Sequence, residues 1–271
     1  MSVITISRGS YSGAKAVADK LGEQLGFPVL SREHLLQQAA SEFQISEADL
    51  AESFISAPAA WQQTLGRRVA FVKCVTAVLL EHASGGNLIY HGHVGHLLLG
   101  NIPHVLRVRV ISSMEKRIQA ACEQLQVGRD QAIAHIQHVD RERSRWAKCV
   151  YGVSWEAPEQ YHALLNLEFL SVESACATIS RLVEQPEFQR TEAAKRALDD
   201  ATLACRVWAA IAKNPETRSA GVDVKAAAGT VVITGSVGSS KTTELLAQTA
   251  QQVEGVQEVR CEVGMGQDWY W

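Results

Sequence analysis

From residue 1 to about residue 185 the chain alternates short β-branched or aliphatic runs with longer stretches whose apolar positions recur every three or four residues. That rhythm is the one a parallel sheet with helical crossovers produces, and it leaves little room for an all-helical or all-β fold. Residues 3–7, Val-Ile-Thr-Ile-Ser, predict a first strand that breaks into Arg8-Gly9-Ser10-Tyr11-Ser12-Gly13. Ala14, Val17, Ala18, Leu21 and Leu25 then share one face of a helix. Further strands are expected at 29–30, 88–91, 106–111 and 164–167. Helices are expected over 32–40, after Ser46, whose Asp49 three residues on resembles a capping box, and over 61–82, 114–125, 129 into the 140s, and 171–184. In the 61–82 stretch Leu65, Val69, Val72, Thr76 and Leu79 fall on one face. The predicted fold class is α/β, a parallel sheet covered by helices on both faces, over 1–185.

The pattern changes at Gln185-Pro186, and residues 186–195 read as a polar linker. A small α+β domain is expected over 196–264. It comprises a helix at 197–213, paired strands at 222–226 and 231–236, a helix at 239–253 and a last strand at 256–263. The aromatic tail 265–271, with Trp269, Tyr270 and Trp271, reads as docked or frayed.

Charge narrows the function classes. The 26 Lys+Arg against 29 Asp+Glu give a net charge of -3, which argues against a general binder of nucleic acid or anionic membranes. No apolar run approaches the roughly 18 to 20 residues needed to span a bilayer, and no basic region precedes an apolar stretch at the amino terminus, so a cytoplasmic protein is expected. The six cysteines form no Cys-x-x-Cys pair and read as reduced thiols. His91, His93 and His96 lack an accompanying carboxylate or cysteine, so no metal site is assigned to them.

A glycine- and serine-rich turn between a first strand and a helix suits a phosphate, because backbone amides and the helix dipole converge there. Residues 7–15 supply that context without the strict Gly-x-x-x-x-Gly-Lys-[Ser/Thr] spacing. Gly13 fits the second glycine, Arg8 stands at the first, and the lysine is displaced to Lys15. A tight turn without a ligand accounts for these residues equally well. Farther on, Arg141, Arg145 and Lys148 stand at i, i+4 and i+7 on one helical face, with Arg143 elsewhere on the cylinder. They suit either a clamp on phosphate oxygens or a solvated helix balanced by Asp140 and Glu142.

Ile4-Thr5-Ile6-Ser7-Arg8, Ser12-Gly13, Ser31-Arg32-Glu33, Gly92, Val105-Leu106-Arg107, Glu115-Lys116-Arg117 and Val139-Asp140-Arg141-Glu142-Arg143 occur in that order. Over residues 1–185 the chain resembles the cytidylate kinase-like proteins. The resemblance implies a P-loop nucleoside-monophosphate-kinase fold and a transferase that uses ATP and Mg²⁺ to phosphorylate a nucleoside monophosphate such as CMP. It assigns Arg8, Gly9, Ser10, Ser12, Gly13 and Lys15 to nucleotide binding. Lys15, Arg141, Arg143 and Arg145 fall to catalysis, the arginines as lid cations, and Arg32, Gly92 and His93 to the acceptor, with no protein-held metal. Tyr11 and Ala14 replace usual glycines of the loop. The family's Gly-Arg after the third strand stands here as Gly92-His93, and its Tyr-Asp and Asn-Thr-Ser elements as Tyr161-His162 and Asn166-Leu167-Glu168.

Residues 196–264 resemble a BON domain through Val222-Asp223-Val224, the run from Gly229 to Val237, and the run from Val253 to Val259. Such domains are associated with phospholipid surfaces or protein partners, which implies a tethering or regulatory role. The Ser236–Thr242 run lacks phosphate-loop glycine spacing and reads as a hairpin leading into a capped helix. A nucleotide-binding regulator without turnover and an adaptor working through the BON-like unit are the alternatives to catalysis.

Overall fold

The structure, a computed structural model, describes residues 1–55, 61–100, 102–218 and 220–265. Five strands, β1 (Val3–Arg8), β2 (Val29–Ser31), β3 (Leu88–Gly92), β4 (Val105–Ile111) and β5 (Ala163–Asn166), form one sheet in the order β2-β3-β1-β4-β5. Every pairing is parallel, with Ile4 opposite Ile89 on one side and Leu106 on the other. Residues 3–7 of β1 are all buried, as expected of a strand covered on both faces.

Helix α1 (Ala14–Leu25) lays Ala14, Val17, Ala18 and Leu21 against one face of that sheet, beside Ala175, Cys176, Ile179 and Val183 of α8 (Val172–Val183). Each large aliphatic group buried there contributes about 1.5–3 kcal/mol. The other α-helices up to residue 185 are α2 (Arg32–Phe43), α3 (Glu47–Ile55), α4 (Trp61–Ser84), α5 (Gly95–Leu98), α6 (Met114–Leu125) and α7 (Arg129–Tyr151). Side chains cap several helices, among them α6, where the Ser113 hydroxyl accepts from Lys116 N, and α8, where that of Ser171 accepts from Ser174 N. Because β1 lies between β3 and β4, the strand order reverses at its carboxyl end, where a doubly wound sheet opens a crevice.

The second sheet pairs β6 (Gly221–Ala227) antiparallel with β7 (Thr230–Val237), which pairs parallel with β8 (Glu258–Met265). Helix α10 (Ser240–Gln251) makes the crossover, capped by Ser239, whose hydroxyl accepts from Thr242 N at 3.2 Å. Ala228 and Gly229, at φ 49° and 82°, make the two-residue turn between β6 and β7, the left-handed pair that suits the twist of a hairpin. Helix α9 (Glu192–Lys213) supplies Val207, Trp208 and Ile211 to the core beneath this sheet.

Several outlines differ from expectation, among them β8, which runs 258–265 rather than 256–263. Helix α5 is absent from the sequence reading because four residues are too few to show a period. β5 starts and ends one residue earlier than predicted. Residues 186–195 are structured: Pro186–Phe188 form a 3₁₀ turn, Phe188 is buried in the core of the parallel sheet, and α9 begins at Glu192. The chain divides into two compact units, the first containing residues 1–37, Phe54 and 85–194 and the second gathering residues 38–53, α4 and the chain from Lys195 on. Helix α4 belongs with the second because Ala70 packs among Val207, Trp208, Ile211 and the strands β6 and β7. Local periodicity cannot reveal that assignment. The side chain of Leu65 and the tail from 266 on lie outside the described residues. All six cysteines are free, and burial pushes Cys74 up to about 12.

Candidate functional site

A cavity of about 760 Å³ opens at the carboxyl end of β1. The loop that follows the strand forms its floor. Ser12 N donates to Gly9 O at 3.3 Å, closing a turn, and Gly13 enters α1 at φ 85°. No side chain caps α1, so its first amides keep their capacity for an anion. Gly13 is required twice over. Its backbone is left-handed, and a Cβ there would come within 2.9 Å of Leu167 Cδ1. The buried Ser12 hydroxyl has no partner, and neither does that of Ser112, which follows β4 and also lines the cavity. Lys15 projects from the first turn of α1, largely exposed, 2.6 Å from Asp19.

Helices α6 and α7 tie this loop down. Ser10 donates its hydroxyl to Asp140 Oδ1 at 2.9 Å, Arg117 donates Nε–H to Ser10 O at 2.7 Å, and Arg117 also pairs with Asp140. Arg143 donates to Arg8 O at 3.2 Å and to Ser10 Oγ at 3.3 Å. Burial, then the neighbouring Arg8 and Arg32 charges, lower the Arg143 pKa to about 10, so it stays protonated at neutral pH. Tyr11 holds a left-handed φ of 61°, packs against the Ile118, Ala121, Ala132 and Ile136 cluster between α6 and α7, and meets His135 Nε2 at 3.0 Å.

Of the residues nominated from sequence, Arg8, Ser10, Ser12, Gly13, Lys15, Arg32 and Arg143 come together around the cavity. Arg8 and Arg32 each keep a buried Nε without a partner while their other nitrogens approach Glu33. Gly9 lies beneath the Arg117 guanidinium, 3.8 Å from where a Cβ would stand.

Arg141 and Arg145 are not brought in. Both are exposed, and Arg145 pairs with Glu142 at 2.8 Å. The inward stripe of α7 is the apolar one, Ala132, Ile136 and Trp146, and Arg143 stands within it. A lone cation in an apolar stripe was the signal available in the sequence.

Gly92 and His93 lie behind the cavity rather than in it. A Cβ on Gly92 would meet the Tyr90 hydroxyl at 2.5 Å, so that glycine makes room for a buried ring. His93 sits edge-on to Trp146 and Trp155, with ring centroids 5.7 and 5.6 Å away, and neither ring nitrogen has a partner. Burial first, then Arg143, Arg32 and other nearby positive charges, holds His93 well below the usual histidine range, and it is neutral at physiological pH. His96 is likewise lowered, to about 3, chiefly by burial, and its Nε2 meets the Tyr161 hydroxyl at 3.2 Å. His162 accepts from Arg107 N through Nδ1 at 3.0 Å and so braces β4. Sequence reasoning gave Arg117, Lys116 and Tyr11 no part in the site and Asp140 only that of a balancing surface charge, although they fix the loop or line the cavity.

Among the described residues, five cations line the cavity, Arg8, Lys15, Arg32, Lys116 and Arg143, against one carboxylate, Asp19. With an uncapped helix and open hydroxyls, this chemistry suits a polyanion. Among the described residues no group of three His, Cys, Asp or Glu could hold a metal, and no helix is long and apolar enough to cross a membrane.

The sequence model of the cytidylate kinase-like family matches residues 3–168, and that of the BON domain matches residues 199–265. No curated protein matches the chain. Among solved structures, an uncharacterized protein from Eubacterium ventriosum ATCC 27560 aligns at 16% identity over 68% of this chain and 99% of its own, with a TM-score of 0.55. Shikimate kinase from Bacteroides thetaiotaomicron aligns at 12% identity over 68% and 99%, TM-score 0.42. Shikimate kinase from Acinetobacter baumannii, in complex with shikimate, aligns at 14% identity over 68% and 93%, TM-score 0.38.

Proposed function

The chain belongs to the cytidylate kinase-like family and carries a C-terminal BON domain, and from that premise we propose that the cavity at β1 takes ATP and passes its terminal phosphoryl group to a nucleoside monophosphate such as CMP. The observation that carries this is the convergence of five cations on the uncapped start of α1. Arg8, Ser10, Ser12, Gly13 and Lys15 hold the donor phosphates, with Gly9 letting Arg117 lie close over the loop. Arg32 faces the acceptor phosphate, and Arg143 stands where both sets of oxygens are reached.

Phosphoryl transfer asks the protein chiefly to align the groups and neutralise charge. As the bond from the γ-phosphorus to its bridging oxygen breaks, negative charge shifts onto the departing diphosphate, and a fixed guanidinium stabilises that shift. Mg²⁺, when bound with the nucleotide, would neutralise phosphate charge. The unpartnered Ser12 hydroxyl fits it, since this ion takes most ligands from phosphates and water.

A non-catalytic nucleotide sensor is the second role, favoured by one observation: His93, where the family carries a permanent cation, is neutral and enclosed. In either role the BON domain engages a protein or a phospholipid surface and tethers or regulates the first unit.

Coupled assays of ATP with each nucleoside monophosphate, run beside thermal-shift titrations of the nucleotides, test this. Turnover with one of them is expected. Stabilisation by ATP without turnover would replace the kinase by the sensor, and no stabilisation by any nucleotide would overturn both.

A further inference from the structure

The cavity is chemically uneven along one helix. His135, Val139 and Arg143 stand at i, i+4 and i+8 on α7, so they share a stripe, and all three line the cavity. By helix rise the first and last are separated by roughly 12 Å. The Arg143 end is fixed at the loop by its bonds to Arg8 O and Ser10 Oγ. Toward the other end the charge gives way to an aliphatic group and then an imidazole.

Tyr11 reaches that same end. Its left-handed backbone, at φ 61°, is uncommon for a bulky aromatic residue and carries a steric cost. What the conformation achieves is placement. The phenol ring packs on the α6–α7 cluster, stands edge-on to His135 with centroids 5.8 Å apart, and presents part of itself to the cavity. Ala120 and Gln124, one helical turn apart on α6, also line the cavity and add a small apolar surface and a carboxamide. Aromatic rings, small aliphatic groups and an amide carrying both donors and an acceptor are what a flat heteroaromatic base requires.

We propose that Tyr11, Gln124, His135 and Val139 form a nucleobase subsite, which holds the base of the nucleoside triphosphate whose phosphates lie at Arg143 and the first loop. The assignment rests on the nucleotide-binding role above and adds the direction in which the donor lies: phosphates toward Arg143, base toward His135. The residues facing His135 would then set which base is preferred, independently of the phosphate contacts.

Isothermal titration of the full chain with Mg²⁺ and each of the four common nucleoside triphosphates, beside inorganic tripolyphosphate, separates base from phosphate recognition. At least one nucleoside triphosphate should bind the wild type about tenfold tighter than tripolyphosphate. His135→Ala and Gln124→Ala, both at exposed positions, should each weaken that nucleotide about 5-fold or more and leave tripolyphosphate unchanged. Tyr11→Phe, which keeps the ring and loses only the hydroxyl, should change nucleotide affinity less than His135→Ala does. Equal binding of tripolyphosphate and nucleotide by the wild type overturns the subsite, as does an unchanged nucleotide affinity in both alanine variants or an equal loss for both ligands. No binding of either ligand would instead overturn the nucleotide-binding role itself, and the subsite with it.

Discussion

The two units bury different things. Among the described residues, the interior of the first holds Ser2, Thr5, Ser7, Ser10, Ser12, four histidines and Arg109, while that of the second holds only Thr76 and Thr217 as buried polar residues. Both of those threonines donate to a carbonyl of their own segment, to Val72 O and Ile211 O, each at 2.7 Å. In the first unit the hydroxyls of Thr5 and Ser12 and both ring nitrogens of His93 and His104 find no partner. Unpartnered buried polar atoms cost stability, so a chain keeps them where something other than stability is selected. In the second unit Trp208 Nε1 is the one such atom among the described residues, so the unsatisfied groups gather in the first unit, which holds the candidate site, and the core of the second is otherwise apolar.

The largest effect that would test this contrast is on turnover. Arg143→Ala should lower kcat/KM about 10³-fold or more, as removal of an arginine that stabilises transferred charge does, whereas Arg141→Ala and Arg145→Ala should stay within a few-fold of wild type. Steady-state kinetics with the best acceptor decide it, and comparable losses in all three variants would erase the distinction between the inward and outward stripes of α7.

Next comes the apolar core of the second unit. Leu246, fully buried beneath β7, should cost about 2–5 kcal/mol when cut to alanine, read by urea unfolding, with nucleotide affinity unchanged. A variant that loses nucleotide binding in parallel would show that the two interiors are not separable in function.

Acid should act on the first unit by a smaller amount. His93 and His96 are held neutral by burial, so between about pH 6.5 and their lowered folded values the unfolded chain takes up protons that the folded one refuses. Stability is therefore complete above about pH 6.5 and falls as pH drops, by up to about 1.4 kcal/mol per pH unit for each ring. The chain from Lys195 on contains no histidine and lacks that slope. Unfolding followed at pH 7.5 and 5.5 by hydrogen exchange, resolved for β1 and for β7, should show protection falling in β1 alone.

The smallest effect sharpens the comparison from the surface. The Arg145–Glu142 pair lies open to solvent on its arginine side, and Arg145→Ala should change stability by no more than about 1 kcal/mol in thermal unfolding. A larger loss would mean that the outward face of α7 is anchored in some further way.

What was legible in the sequence was whatever local period and turn chemistry control. β1, its loop and α1 follow from the five-residue β-branched run and the spacing of Ala14, Val17, Ala18 and Leu21. The hairpin of β6 and β7 follows from Gly229. Spacing also grouped Arg141 with Arg145, correctly as neighbours on a helix, but a helical wheel does not say which side faces in. That is decided by Trp146 and Ile136, with which Arg143 and not Arg141 is aligned. His93 reads in sequence as a titratable replacement for a cation, and only its place between two indoles shows that it does not titrate near neutrality. The membership of α4 in the second unit depends on contacts between residues more than a hundred positions apart, which no window on the sequence contains.

That membership has a consequence for how the protein is made. Val69 and Ala70 of α4 are translated well over a hundred residues before Val207, Trp208 and the strands that cover them. At the usual speed of a ribosome, about 5–20 residues per second, these apolar side chains wait on the order of 10 s for their partners. The second unit is therefore completed only once β6, β7 and β8 have followed, and a nascent chain stalled before β7 exposes an apolar helix face to whatever chaperone meets it first.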